Sequence, residues 1–258
     1  MSNTAVLGID IGGSGIKGAP VDLVKGDFAS ERLRIPTPTP STPEAVAEVV
    51  AQIAEHFAAE IGDAPIGVTI PAVVAHGITR SAANIDKSWI DSPTEQIFTE
   101  RLGRPIHAVN DADAAGMAEV RYGAARDNDG LVMLTTLGTG IGTALIYRGL
   151  LVPNTELGHI EIDGRDAETD AAASVKDRLG LKYSEYIPRL QRYYETLERL
   201  FSPDLFVVGG GISKDAAKFL PKLKLKADIV PAELRNKAGI IGAAWLAADA
   251  AGRTDLLT

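Results

Sequence analysis

The sequence predicts an α/β protein built as two halves with a cleft between them, and three observations predict it. First, an apolar, β-branched run ends in an acidic residue, a glycine turn and a returning apolar run at Val6–Lys17. Second, the same plan of strand, glycine turn and return strand recurs at Leu131–Arg148. Third, helical and strand patterns alternate after each of these hairpins. The repetition is one of architecture and not a short-period sequence repeat.

The elements follow in order. After the opening hairpin, Ser30 to Thr37 reads as a third short strand, completing an antiparallel edge. Pro36 to Pro43 is a proline-rich connector. Ser41 and Glu44 fit a capping box, and Thr42 as cap with Pro43 at the first helical position fits equally well. Val46, Val49, Val50, Ile53 and Phe57 then share one helical face. Pro65 to Val74 reads as a buried strand interrupted by Pro71, which marks a strand end or a loop. Thr94 to Leu102 is a short helix and Ile106 to Val109 a short strand, and within Val109-Asn110-Asp111-Ala112-Asp113 the strand ends and a small-residue helix begins. Leu131 to Leu137 and Thr143 to Arg148 flank the second glycine turn. Helical stretches cover 169–180 and 183–201, and a strand covers Leu205 to Val208. A helix from Lys214, a strand near Ile229 and an Ala-rich helix from Gly239 complete the pattern. The division expected is an N-terminal α/β domain over 1–110, which the C-terminal helix 240–258 is a candidate to join, and a C-terminal α/β domain over 111–239.

Composition narrows the class. With 258 residues, 45% of them hydrophobic, the chain can bury one large core or two modest ones. It has no cysteine, which excludes disulfides and thiolate metal sites. No signal peptide precedes the first strand, and no long uncharged apolar run could span a bilayer, so a soluble cytoplasmic protein is expected. A net charge of -8 argues against general nucleic-acid binding.

The chemistry-bearing residues form three groups. Gly12, Gly13, Ser14 and Gly15 make a turn whose bare N–H groups suit anions, with Lys17 on the return strand. Asp10, at the strand end, is placed to hold a divalent cation through water. An ordinary tight hairpin has the same sequence signature. The second turn, Thr136-Leu137-Gly138-Thr139-Gly140-Ile141-Gly142, repeats the plan, and two such hairpins suit one phosphate chain. Asn110-Asp111 ends a strand where a carboxylate can cap a helix or take a proton from a hydroxyl, with Asp113 in reserve. Glu156 and His159 lie close enough in sequence to bind vicinal sugar hydroxyls.

On these residues the chain resembles the ROK sugar kinases, and within them the bacterial polyphosphate glucokinases. The likeness runs from Val6 to about Leu246. It implies the actin/hexokinase-like (ribonuclease H-like) fold. It also implies a glucokinase that moves the terminal phosphate of polyphosphate and of ATP onto the 6-hydroxyl of glucose, with Mg²⁺ and with mannose as a second acceptor. By the same likeness, Asp10–Lys17 is the first phosphate loop and Gly138–Gly142 the second. Asn110 is a sugar ligand and Asp111 the catalytic base. Asn84, Glu156 and His159 are further sugar ligands, and Gly209-Gly210-Gly211 is the nucleotide-side glycine stretch. Closure of the domains over glucose is implied as well.

The sequence departs from the family in one place. Typical members carry a Cys-rich zinc loop after the sugar-site His, ending in another sugar-binding Glu. Here only Asp163 to Asp170 occupies that place, which assigns the role to Glu168 with Glu161 as competitor. The polyphosphate branch shares the shortened, Cys-free form.

A long polyanion needs a basic track. Lys214, Lys218 and Lys222 have four-residue spacing and could share a helix face unless Pro221 ends it. Arg178, Lys182 and Arg189 offer a second basic surface. Two alternatives stay open: an ATP-only kinase for another hexose or an amino sugar, and a sugar-sensing binding protein. The family's repressors carry a DNA-binding segment ahead of the kinase-like part, which this sequence leaves no room for. The oligomeric state, monomer or homodimer, is left open.

Overall fold

The computed structural model describes residues 5–82 and 85–257. The chain divides into two compact units, Met1–Ala118 with Asn236–Thr258, and Glu119–Arg235. The first unit runs through β1 (Val6–Gly12), β2 (Gly15–Asp22), β3 (Asp27–Phe28), β4 (Leu33–Ile35), α1 (Pro43–His56), α2 (Ala58–Ile61), β5 (Ile66–Ile70), β6 (Val74–Ala75), β7 (Ile78–Thr79), α3 (Thr94–Leu102) and β8 (Ile106–Asn110) into α4 (Asp111–Tyr122). Its main sheet has the order β3-β2-β1-β5-β8, with β4 also on β2. The β1–β2 pair is antiparallel, and β5 and β8 join in parallel.

The second unit carries β9 (Leu131–Leu137), β10 (Ile141–Tyr147), β11 (Leu150–Val152), β12 (Glu161–Ile162), β13 (Arg165–Asp166), α5 (Glu168–Ala171), α6 (Ala173–Arg178), α7 (Tyr183–Phe201), β14 (Leu205–Gly209), α8 (Ala216–Phe219) and β15 (Asp228–Pro231). Its sheet has the order β11-β10-β9-β14-β15. The β9–β10 hairpin is antiparallel, and β14 and β15 follow in parallel. Both units therefore share one plan, a glycine hairpin at the centre of a sheet that parallel strands extend. The chain then returns to the first unit as α9 (Ala238–Ala250).

Strand periodicity explains how the first unit is layered. Leu7, Ile9 and Ile11 of β1 point to one face, where they join Val46, Val50 and Ile53 of α1 and Phe98 of α3. The alternate positions meet α9. A Cβ on Gly8 would collide with the Ile240 carbonyl, and one on Gly67 with the Ala243 carbonyl. Two glycines thus let a small-residue helix lie directly on the sheet backbone.

Several local expectations are resolved by hydrogen bonding. Thr42 caps α1: Ala45 N–H donates to its Oγ1 at 3.3 Å, with Pro43 in the first turn. The expected third strand is shorter, Leu33–Ile35, and Asp27–Phe28 pairs separately with β2. β5 stops at Ile70, before Pro71, which has no N–H to donate. The helix expected over 169–180 breaks at Ala172, whose ψ of 150° is extended. The helix expected from Lys214 is a 3₁₀ turn followed by the single turn of α8. The second unit in the structure is thus richer in short turns than helical periodicity implied.

Gly8→Ala is expected to lower stability by about 2 kcal/mol or more in urea denaturation, the scale of core overpacking. Gly13→Ala, where the added methyl meets open space, is expected to stay within about 0.5 kcal/mol of the parent.

Candidate functional site

In the first unit, β1 and β2 are joined by a two-residue turn at Gly13-Ser14, both exposed. Asp10 and Lys17 are register partners across this hairpin, which is why their side chains meet. Lys17 Nζ lies 3.2 Å from Asp10 Oδ2, and Thr69 Oγ1 donates to Asp10 Oδ1 at 3.0 Å. The turn is held from the neighbouring strand as well. Arg34 is the register partner of Lys17 on β4, and its guanidinium packs over Gly15 and donates to the Ser14 carbonyl at 2.7 Å. Thr37 Oγ1 donates to the Gly12 carbonyl at 2.5 Å. Arg34 and Thr69 were not legible as site residues, because only sheet register brings them to the turn.

Asp10 fits magnesium in one manner. Both its oxygens already have protein partners, and among the described residues no group of three or more His, Asp and Glu could hold a metal ion. Such a donor set suits an ion held mainly by phosphate oxygens and water, with Asp10 as an outer carboxylate.

At the end of β8, Asn110 is the helix cap and Asp111 is the first residue of α4. Asn110 Oδ1 accepts from Ala112 N–H at 2.8 Å and Asp113 N–H at 3.1 Å, while its Nδ2 donates to the Ala72 carbonyl at 3.1 Å. The capping role that the sequence offered to Asp111 thus falls mainly to Asn110, although Asp111 Oδ1 also accepts from Ala112 N–H at 2.8 Å. Asp111 is half-buried. Asp113 is 2% exposed, which leaves Asp111 as the carboxylate that a substrate can reach. Asn84 lies outside the described residues. The segment after it is anchored by Trp89, which is buried edge-on against Phe98.

In the second unit, Gly138-Thr139-Gly140 connects Leu137 to Ile141. Surrounding segments grip this loop. Ser174, in α6, donates its N–H to the Gly138 carbonyl at 3.0 Å and its Oγ to the Thr139 carbonyl at 2.6 Å. Glu168 Oε2 accepts from Ile141 N–H at 2.7 Å. Gly210, with φ 78°, rests on the Leu137 backbone where a Cβ would collide. Gly211 is open on its Cβ side, and Thr136 is half-buried beside Gly209.

The Glu156–His159 segment is fastened to the same strand. Thr143 Oγ1 donates to the Thr155 carbonyl at 2.5 Å and accepts from Leu157 N–H at 3.1 Å. Gly158 sits where any Cβ would strike the Ile141 carbonyl. Glu156, Glu168 and His159 are thereby tied to one strand end. Glu161 is exposed on β12. Part of Glu156 reaches solvent, yet the protein around its carboxyl desolvates it and raises its pKa. The charge of His159 opposes that rise and the charge of Glu168 adds to it. The imidazole of His159 is raised mainly by its hydrogen bond to Asp166, at 2.8 Å.

The basic residues are arranged differently from the expected helix face. Lys214 is exposed in a 3₁₀ turn, Lys218 lies in α8, and Lys222 falls in a further 3₁₀ turn after Pro221. Lys218 pairs with Asp215 at 2.7 Å, and its Nζ stands 5.8 Å from the centre of the Tyr183 ring. Lys176, not singled out in the sequence, stands 5.0 Å from the same ring. Burial pushes the Tyr183 hydroxyl up to about 12, helped by its hydrogen bond to Asp215. Arg189 is engaged with Asp170 at 3.1 Å, which removes it from a free basic surface.

Comparison with known proteins adds the following. The model of the ROK family matches residues 6–178. The polyphosphate glucokinase of Mycobacterium tuberculosis is 49% identical over 239 residues, covering 92% of this chain and 89% of that protein. The inorganic polyphosphate/ATP-glucomannokinase of Arthrobacter sp. strain KM superposes with a TM-score of 0.90 at 55% identity, covering 96% of this chain and 99% of that one. The ROK hexokinase of Thermus thermophilus superposes with a TM-score of 0.76 at 25% identity, covering 97% and 100%.

The Glu156 carboxyl is expected to titrate above an ordinary glutamate in a carboxyl-carbon NMR titration. Removing the opposing cation with His159→Ala is expected to raise it further, and removing the like charge with Glu168→Gln to lower it.

Proposed function

The chain belongs to the ROK family, and on that premise we propose that it is a glucokinase transferring the terminal phosphoryl group of polyphosphate or ATP to the 6-hydroxyl of glucose. The observation that carries this reading is the likeness, over 92% of the chain, to a polyphosphate glucokinase. The glycine-hairpin plan found in each unit agrees with it. Mannose is included as a second acceptor because the Arthrobacter relative is a glucomannokinase. Among the described residues no helix is long and apolar enough to cross a membrane.

The residues divide the work by their chemistry. Backbone N–H groups of Gly12–Gly15 and of Thr139 and Gly140, with Lys17 and Arg34, suit the donor phosphates, while the Gly138 N–H donates to the Gly140 carbonyl at 2.9 Å and shapes the loop. Gly210 and Gly211 extend the donor side, with Lys176, Lys214 and Lys218 as cations for the outlying phosphates of a polyanion. Asn84, Asn110, Glu156, His159 and Glu168 are the sugar ligands in this reading. Asp111 accepts the proton of the 6-hydroxyl as its oxygen bonds to the terminal phosphorus. The bridging phosphorus–oxygen bond breaks, and the shortened polyphosphate or ADP leaves with the electron pair. Magnesium, near Asp10, supplies neutralisation of charge on the donor oxygens when bound.

A coupled assay for glucose 6-phosphate, with defined polyphosphate lengths and ATP in competition, tests the donor assignment. Turnover with ATP alone would reduce this protein to an ATP-only kinase. Asp111→Ala is expected to lower kcat by about 10²–10⁴-fold, the range of general base catalysis, while the KM for glucose moves little. Near-parental kcat would remove Asp111 as the base. The double variant Lys176→Ala, Lys218→Ala is expected to raise the KM for long polyphosphate severalfold more than that for ATP. Equal changes would contradict a polyanion track.

A further inference from the structure

His159 and Glu168 are seven and two residues from Asp166, and one carboxylate joins them. Asp166 Oδ2 lies 2.8 Å from His159 Nδ1, and Asp166 Oδ1 accepts from Glu168 N–H at 3.0 Å. Its own carbonyl accepts from Thr169 Oγ1 at 2.6 Å, which tightens the start of α5. The carboxylate reaches both partners because Asp166 ends a two-stranded hairpin. The turn of that hairpin, Asp163-Gly164, has positive φ at both residues, 54° and 77°. Arg192 of α7 holds the tip with a fork to both Asp163 oxygens, at 2.8 and 2.6 Å. The hairpin is thus tied to a long helix at one end and to two site residues at the other.

We propose that Asp166 is a positioning residue of the sugar site: its two oxygens set the ring of His159 and the backbone of Glu168 in one geometry. The inference rests on the reading of His159 and Glu168 as sugar ligands. An imidazole that donates Nδ1–H to a carboxylate has its tautomer fixed and presents Nε2 outward. Glu168 is held at its N–H by Asp166, and its carboxylate is held by Ile141 N–H. A chain with no cysteine has no thiolate cluster to order this segment. A carboxylate within a six-residue hairpin does so instead.

The charged groups facing His159 are Asp166, Glu168 and Glu156, and all of them favour the imidazolium. The hydrogen bond to Asp166 is the strongest of these influences, so the imidazole pKa falls when it is removed. A bare folding staple would change stability without that signature.

The test uses the full chain with Asp166→Asn and Asp166→Glu, and the His159 imidazole is followed by NMR titration alongside steady-state kinetics. In Asp166→Asn the His159 pKa is expected to fall. The KM for glucose is expected to rise roughly 10-fold, as when an outer partner of a functional histidine is lost, with the KM for polyphosphate nearly unchanged. Asp166→Glu is expected to recover the raised imidazole pKa and part of the glucose affinity. An unmoved His159 titration in Asp166→Asn overturns the proposal even if stability drops, because the carboxylate then does not hold the ring. A fallen pKa with an unmoved glucose KM instead overturns the sugar-ligand reading on which the proposal rests. If Asp166→Asn does not fold, Asp166→Ala is read in the same way: a fallen His159 pKa with a raised glucose KM supports the proposal, and an unmoved His159 titration overturns it.

Discussion

Backbone carbonyls resting directly on glycine Cα atoms are the constraint on which both units depend. In the first unit, Ile240 and Ala243 of α9 lie on Gly8 and Gly67, so the helix sits on the sheet with no side chain intervening. In the second, Gly158 lies on Ile141 and Gly210 on Leu137, the two residues that flank the glycine loop. A methyl group at any of these positions would push a whole element away, and interiors packed at crystal-like density have little room to absorb it.

Hydrogen bonds then convert that close packing into defined geometry. The second glycine loop is gripped through Ser174 and Glu168, and the Glu156–His159 turn through Thr143. The first turn is gripped through Arg34 and Thr37. Each contact satisfies a backbone group that would otherwise be free to rotate toward solvent, so the loops are held in defined conformations. Preorganised N–H groups stabilise developing charge more effectively than groups that must reorient during reaction.

Charges near the turns are paired in ways that leave them available to an anion. Lys17 pairs with Asp10 at 3.2 Å, and with each side chain about one-quarter exposed the pair is partly buried yet open to solvent on one side. Lys176 and Lys218 both approach the Tyr183 ring, and each also pairs with a surface carboxylate, Lys176 with Asp177 at 3.4 Å and Lys218 with Asp215 at 2.7 Å, pairs that solvent keeps weak. An acidic protein of net charge -8 can therefore still present local cationic surface to a polyanion.

The sequence by itself determined the fold plan and the places of its glycine turns. The two glycine hairpins, α3 at Thr94–Leu102, α7 at Tyr183–Phe201 and the helix start at Asn110-Asp111 were legible because periodicity, caps and turn residues are local signals. Only the tertiary structure decided which distant residues complete those turns. Arg34 reaches Ser14 through sheet register, Thr69 reaches Asp10 through a parallel strand, and Glu168 and Gly158 converge on Ile141. Asp166 carried a local clue in the Asp-Gly turn before it, yet its partnership with His159 needed the hairpin to close. Local signals encode conformation along the chain. Contacts between segments far apart in sequence are set by packing, and no window of residues contains them.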